Sequence, residues 1–245
     1  MKKTLITLMA LSGLAVADTV VTGSDLTWDI SSPYKDCTTV SNGNLTYSGG
    51  GWWVSGPTGT LSNAITLEKE QVLKFSCSFD FSSTNSILTL ALVGDNGAVV
   101  MGKSYDNDVK LATTNETGDS VSRGYAFAGT NNNGQVANIT QGYITMDKEF
   151  LVNAGDTVNT NVISFTVAYD TTKAQFVGTL AYNGSTADIT LGETFDVKAI
   201  TATFDGDGSY VAHLNDIKLE VIPEPTTATL SLLALAGLAA RRRRK

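Results

Sequence analysis

The strongest constraint on the fold is a two-residue alternation. In "VLKFSCSFDF" the apolar positions are Leu73, Phe75, Cys77, Phe79 and Phe81, with Lys74, Ser76, Ser78 and Asp80 between them. Successive side chains of a strand face opposite sides, so this pattern predicts a half-buried β-strand. "NVISFTVAYD" repeats it with Ile163, Phe165, Val167 and Tyr169, and "NDIKLEVI" with Ile217, Leu219 and Val221. "ILTLALV", Ile87 to Val93, is apolar on both faces and suits a central strand buried between layers. No helical stripe interrupts these runs. Between them lie Asp95-Asn96-Gly97, Asn131-Asn132-Asn133-Gly134, Asn183-Gly184 and Asp205-Gly206-Asp207-Gly208, all residues that tolerate positive φ in tight hairpins. The chain therefore reads as all-β, a sandwich or a barrel of many short strands.

A single domain is expected. The four prolines are Pro33, Pro57, Pro223 and Pro225, so no Pro-rich linker divides residues 58 to 222, and no internal repeat is evident. A core of this size buries roughly 70% of the surface of the unfolded chain and needs no metal or disulfide to fold. The least regular stretch, Tyr105 to Gln135, is polar and rich in Asn, Gly and Thr, the composition of a functional loop on a rigid scaffold.

Both ends are distinct from this core. Lys2 and Lys3 precede an apolar run from Leu5 to Val16, and Ala15-Val16-Ala17 supplies small residues for cleavage, so residues 1–17 read as a signal peptide. The chain is expected to be exported. At the other end "PEPTTATLSLLALAGLAARRRRK" sets Pro223-Glu224-Pro225 before an apolar segment, Thr226 to Ala240, and a basic block, Arg241, Arg242, Arg243, Arg244 and Lys245. As a helix the apolar segment is about 22 Å long against a hydrocarbon thickness near 30 Å. Snorkelling arginines could extend it far enough to insert, with the basic block on the cytoplasmic side.

Charge narrows the partners. Setting aside Lys2, Lys3, Arg241 to Arg244 and Lys245 from the 17 basic residues, and Glu224 from the 24 acidic ones, leaves 10 and 23, a core charge of about −13. Such a surface repels phosphate backbones, which argues against nucleic acid as a partner.

Candidate chemistry is sparse. Cys37 and Cys77, in an exported chain, are either bridged or two small buried hydrophobes. The single His213 and the two cysteines lack ligand spacing for a metal. Glu68-Lys69-Glu70 and Asp147-Lys148-Glu149 would each put two carboxylates on one face of a strand, an arrangement open to glycosidase chemistry. A lysine sits in each pair and no Trp is nearby, so a solvated edge is the better reading. No catalytic residue or cofactor is assigned. Trp52 and Trp53 follow three glycines; in a strand they face opposite ways, so one fills the core while the other is free to stack on a sugar or pack under a loop. Asp205 and Asp207 are weak calcium candidates, and the hairpin-turn reading of their Asp-Gly steps is the stronger one. Sequons stand at Asn44, Asn115, Asn138 and Asn183.

Two resemblances add to this. Tyr169-Asp170, Tyr182-Asn183-Gly184 and Asn215-Asp216-Ile217 resemble the strand ends of laminin-G-like and concanavalin A-like lectin jelly rolls. That resemblance implies an antiparallel two-sheet sandwich used for glycan or protein binding, sometimes with bound calcium, and in one branch for glycoside hydrolysis. The carboxylate motif of that hydrolase branch, Glu-x-Asp-x-x-Glu, is absent. The tail, with its three parts in order, resembles the PEP-CTERM sorting signal. It implies an exosortase, a membrane-embedded cysteine peptidase or transpeptidase, as processing partner, with the tail removed near Pro223-Glu224-Pro225. A permanent anchor is the alternative. Together these give the expectation of a non-enzymatic protein of the cell envelope, outer surface or matrix, transiently held in the inner membrane, that binds polysaccharide or is structural. A matrix-directed glycoside hydrolase or lyase and a protein adhesin are the competing readings.

Overall fold

The computed structural model describes residues 19–30, 37–51, 56–82, 86–103, 109–115, 139–146 and 161–224. They form fourteen strands and one three-residue 3-10 turn, Gly23–Asp25. The strands are β1 (Thr19–Thr22), β2 (Thr27–Asp29), β3 (Thr38–Ser41), β4 (Asn44–Gly51), β5 (Thr58–Thr66), β6 (Gln71–Phe81) and β7 (Ser86–Val93). They continue with β8 (Ala98–Lys103), β9 (Val109–Thr114), β10 (Ile139–Met146), β11 (Asn161–Asp170), β12 (Gln175–Tyr182), β13 (Ser185–Gly192) and the long β14 (Asp196–Pro223). Ala15, Ala17, Trp52, Trp53, Asn138, Asp147, Glu149, Pro225 and Arg241 to Arg244 lie outside the described residues, as does the expected C-terminal helix. Among the described residues no helix is long and apolar enough to cross a membrane.

Every pairing is antiparallel, and β14 belongs to two sheets. Its first part, to Gly206, lies between β7 and β5, giving the order β10-β9-β8-β7-β14-β5-β2. Its second part, from Ala212, lies between β6 and β4, giving β13-β12-β11-β6-β14-β4-β3, with β1 beside Lys218 to Val221. This is the two-sheet sandwich that the lectin resemblance implies, and one of the two all-β forms that the alternation allows.

The inward residues follow the parity of the sequence. Leu73, Phe75, Cys77, Phe79 and Phe81 are all buried, as are Ile163, Phe165 and Val167 on β11 and Ile217, Leu219 and Val221 on β14. They meet Leu88, Leu90 and Leu92 of β7 and Phe204 of β14 in one core cluster. β7 is buried along its whole length, as its two-sided apolar sequence requires. Lys103 points into the same interior; its ammonium donates to the Ser86 carbonyl and sits 5.8 Å from the Phe81 ring centre.

Asn183-Gly184 makes the expected tight hairpin between β12 and β13, with φ of 47° and 76°, the pair of positive values a type I′ turn needs. Asp95-Asn96-Gly97 also connects two strands, β7 and β8. Asp205-Gly206-Asp207-Gly208 does not turn back and corrects the hairpin expectation. It lies inside β14, where Asp205 and Gly206 pair with Ile87 and Ser86 and the register breaks before Tyr210. Glycines in a strand interior mark a bend, and here the bend carries β14 from one sheet to the other. A second irregularity follows at Asn215-Asp216-Ile217, where β14 carries an extra residue opposite β6 and Asp216 has φ 55°. Its carboxylate accepts the Ser78 hydroxyl at 2.9 Å, which holds this bulge in place.

Cys37 and Cys77 are both free, so the bridge weighed from the sequence is not formed. Cys37 immediately precedes β3 and Cys77 lies on β6; the order β3-β4-β14-β6 puts three strand spacings, about 14 Å, between them. A disulfide needs Cα atoms within about 7 Å. Burial, and then the charge of Asp216, push the Cys77 thiol far above its ordinary range. In native protein a thiol reagent should therefore label the half-buried Cys37 and spare Cys77, with two thiols released per chain in guanidinium. Finding no free thiol after unfolding would restore the bridge.

Candidate functional site

The described residues form a groove of about 390 Å³ at the end of the sandwich where β7 finishes and β14 begins. Three loop regions build it. The β7–β8 connection contributes Gly94, Asn96 and Gly97; the end of β9 contributes Thr113, Thr114 and Asn115. Gln175 at the start of β12, Thr190 and Leu191 of β13, and Thr194, Phe195 and Asp196 close the other side. The volume falls within the range of small-molecule sites, about 300 to 1,000 Å³.

The rim is braced by polar contacts over long sequence separations. Asp196 Oδ2 accepts the Asp95 N–H at 2.8 Å, tying the β7–β8 loop to the first residue of β14. Inside that loop the Gly94 N–H donates to the Gly97 carbonyl at 2.9 Å. The Asp95 carboxylate in turn pairs with Lys198. Its hydrogen bond, followed by the charges of Asp95 and Asp196, holds the Lys198 ammonium above its ordinary range. Gly97 has φ 145°, and a Cβ there would sit 2.1 Å from the Thr114 carbonyl oxygen, so only glycine lets the loop lie this close to β9. The groove thus presents hydroxyl and amide groups of Thr, Asn and Gln around the apolar Leu191 and Phe195, on a rim fixed by the Asp95–Asp196, Gly94–Gly97 and Asp95–Lys198 contacts.

The other sequence candidates are not gathered there. Glu68, Lys69 and Glu70 are exposed in the turn between β5 and β6, where Gln71 N–H donates to the Glu68 carbonyl at 3.0 Å. That corrects the strand reading of the pair: a turn gives no common face. Lys69 instead lies 4.6 Å from the Tyr169 ring centre. Gly206, between the calcium candidates Asp205 and Asp207, pairs with Gly51 of β4. Asn44 is a hairpin residue whose side-chain oxygen accepts the Asp216 N–H at 3.3 Å, and Asn115 lies on the groove rim. Pro223 pairs with Gln71 and ends the last strand, and the Glu224 N–H just beyond it donates to the Glu70 carbonyl at 2.6 Å.

His213 has a partner that sequence reasoning missed. Its Nδ1 lies 2.6 Å from Asp80 Oδ1 across register partners of β14 and β6, with Asp80 buried and His213 partly exposed. The only signal was that both occupy polar positions of alternating strands. The hydroxyl of Ser82 on the same side of the chain accepts the Val211 N–H at 2.7 Å. Among the described residues no group of three or more His, Cys, Asp or Glu is placed to hold a metal ion.

No protein-family model and no curated protein matches this sequence. Similar solved structures exist. Arcelin-5, a lectin-like defence protein from Phaseolus vulgaris, aligns at 10% identity over 85% of this chain and 100% of its own, with a TM-score of 0.41. Winged bean acidic lectin, solved with methyl-α-D-galactose, aligns at 10% identity over 83% of this chain and 98% of its own, with a TM-score of 0.44. An endo-1,3-β-glucanase from Streptomyces sioyaensis aligns at 9% identity over 77% of this chain and 80% of its own, with a TM-score of 0.45.

Proposed function

We propose that this is an exported, non-enzymatic cell-surface or matrix protein that binds glycan in the groove between the β7–β8 loop and the β12–β13 edge. One observation carries the reading: the groove lines its wall with neutral hydroxyl and amide groups around an apolar patch at Leu191 and Phe195. A sugar presents the same combination, hydroxyls that donate and accept beside C–H faces that need apolar cover. Glycoside hydrolysis is less well supported, because it needs two carboxyls about 5 to 10 Å apart across a cleft. The one carboxylate among the described lining residues, Asp196, is engaged with the Asp95 N–H.

The ends of the sequence complete the proposal. The signal peptide exports the chain, and the Pro-Glu-Pro tail directs it to an exosortase-type peptidase at the membrane. Trp52 and Trp53 are further candidates for sugar contact, and Asp205 and Asp207 for calcium.

Retention on immobilised polysaccharides tests the groove. The protein should bind at least one neutral polysaccharide, and replacing Asn96 and Thr190 together with Ala should weaken binding roughly tenfold, the size expected for two lost hydrogen bonds. Binding to none of a broad polysaccharide panel, or an undiminished double variant, would remove the groove as a glycan site.

A further inference from the structure

Resting on that glycan reading, we infer that the groove discriminates by charge, admitting neutral and amino sugars and rejecting uronic acids and other anionic glycans. Asp196 is the only charged side chain among the described lining residues. Among the described lining residues no cation offsets it. The nearest cation in the network, Lys198, is already paired with Asp95, so the three groups together leave one negative charge at the rim. Glu193, exposed between the lining residues Gly192 and Thr194, adds another. Both act in the field of a core carrying about −13.

Among the described lining residues a uronate carboxylate meets like charge at short range and no guanidinium or ammonium to replace its water, and the Lys198 ammonium at the rim is engaged by Asp95. A neutral sugar meets only hydroxyls and amides. The protonated amine of a glucosamine unit gains what the uronate loses. The selectivity is therefore built by repulsion rather than by a dedicated contact, which is a recognised route to specificity. Because Lys198 and Glu193 are exposed, the discrimination must weaken as salt screens them.

Titration of the full-length protein with three hexasaccharides tests this: cellohexaose as the neutral probe, hexagalacturonate as the acidic one and chitosan hexamer below pH 6 as the cationic one. The expected order is chitosan hexamer at least as tight as cellohexaose, with hexagalacturonate at least about tenfold weaker than cellohexaose at low salt, the gap narrowing at 0.5 M NaCl. In Asp196→Asn and, separately, Glu193→Gln, the acidic-to-neutral affinity ratio should move toward one, with thermal melting confirming that each variant is folded. Glu193→Gln lies on an exposed turn and keeps the test alive if Asp196→Asn fails to fold. Hexagalacturonate binding as tightly as cellohexaose, or a ratio unchanged in a folded variant, overturns the charge selection while leaving the groove as a glycan site. Failure of all three sugars and of the polysaccharide panel to bind overturns the glycan reading itself.

Discussion

Phe204→Ala is expected to destabilise the protein by about 3 to 5 kcal/mol, the range for truncating a buried Phe whose cavity cannot collapse. Phe204 is 1% exposed and sits on the part of β14 just before it changes sheets. Its ring lies 5.8 Å from that of Tyr47 on β4 and 6.2 Å from that of Phe81 on β6. Removing it strips ring contacts that join its own sheet to the facing one, and the strands around it are paired on both sides, so the void has few ways to close. At roughly 2 to 4 °C per kcal/mol for a domain of this size, the melting temperature should fall by about 6 to 20 °C. Val211→Ala, at a position 36% exposed on the same strand, should move it by a small fraction of that. Equal shifts for the two variants would mean that Phe204 is not a core residue.

Gly102→Ala is the second large effect. Gly102 pairs with Thr89, has φ 148°, and a Cβ there would lie 1.9 Å from the Leu88 carbonyl oxygen. The obstacle is backbone, so no side chain can swing away, and β8 must separate from β7 in the middle of a buried sheet. The cost should be about 2 to 4 kcal/mol, combining backbone strain with lost pairing. Gly184→Ala separates the two contributions. Gly184 has φ 76° but open space around its Cβ position, so alanine there should cost only the left-handed strain of about 1 to 2 kcal/mol. If urea denaturation gives the two variants the same loss, the close approach at Leu88 is not real.

The strands of the fold were legible because each carries its own period. Alternation in β6 and β11 names the inward residues without reference to any partner, and the two-sided apolar run of β7 marks it as central. Asn183-Gly184 was legible for a similar reason: two adjacent positive φ values suit few structures besides a tight hairpin. Asp205-Gly206-Asp207-Gly208 was not, because glycine permits a bend as readily as a turn. Which one forms depends on whether the flanking segments pair with each other or with third strands. Here Asp205 and Gly206 pair with β7, and the chain beyond them pairs with β6 and β4.

The groove was least legible. Asp95-Asn96-Gly97 could be recognised as a connection, yet its anchor, Asp196, lies 101 positions away and carries no local mark. The same holds for His213 and Asp80, 133 positions apart, and for the free cysteines, whose separation follows from strand order.

The sequence by itself therefore determined what depends on neighbours along the chain: the all-β class, the buried face of each regular strand, the tight hairpin at Asn183-Gly184 and the negative charge of the core. The tertiary structure alone decided what depends on strand order and register. It turned an Asp-Gly run into the corner joining two sheets, kept two thiols apart, and assembled a groove from loops nearly a hundred residues distant. The physical reason is one of range. Side-chain alternation is fixed by backbone geometry over two residues, whereas the partner of a strand is chosen by the burial of the whole sandwich.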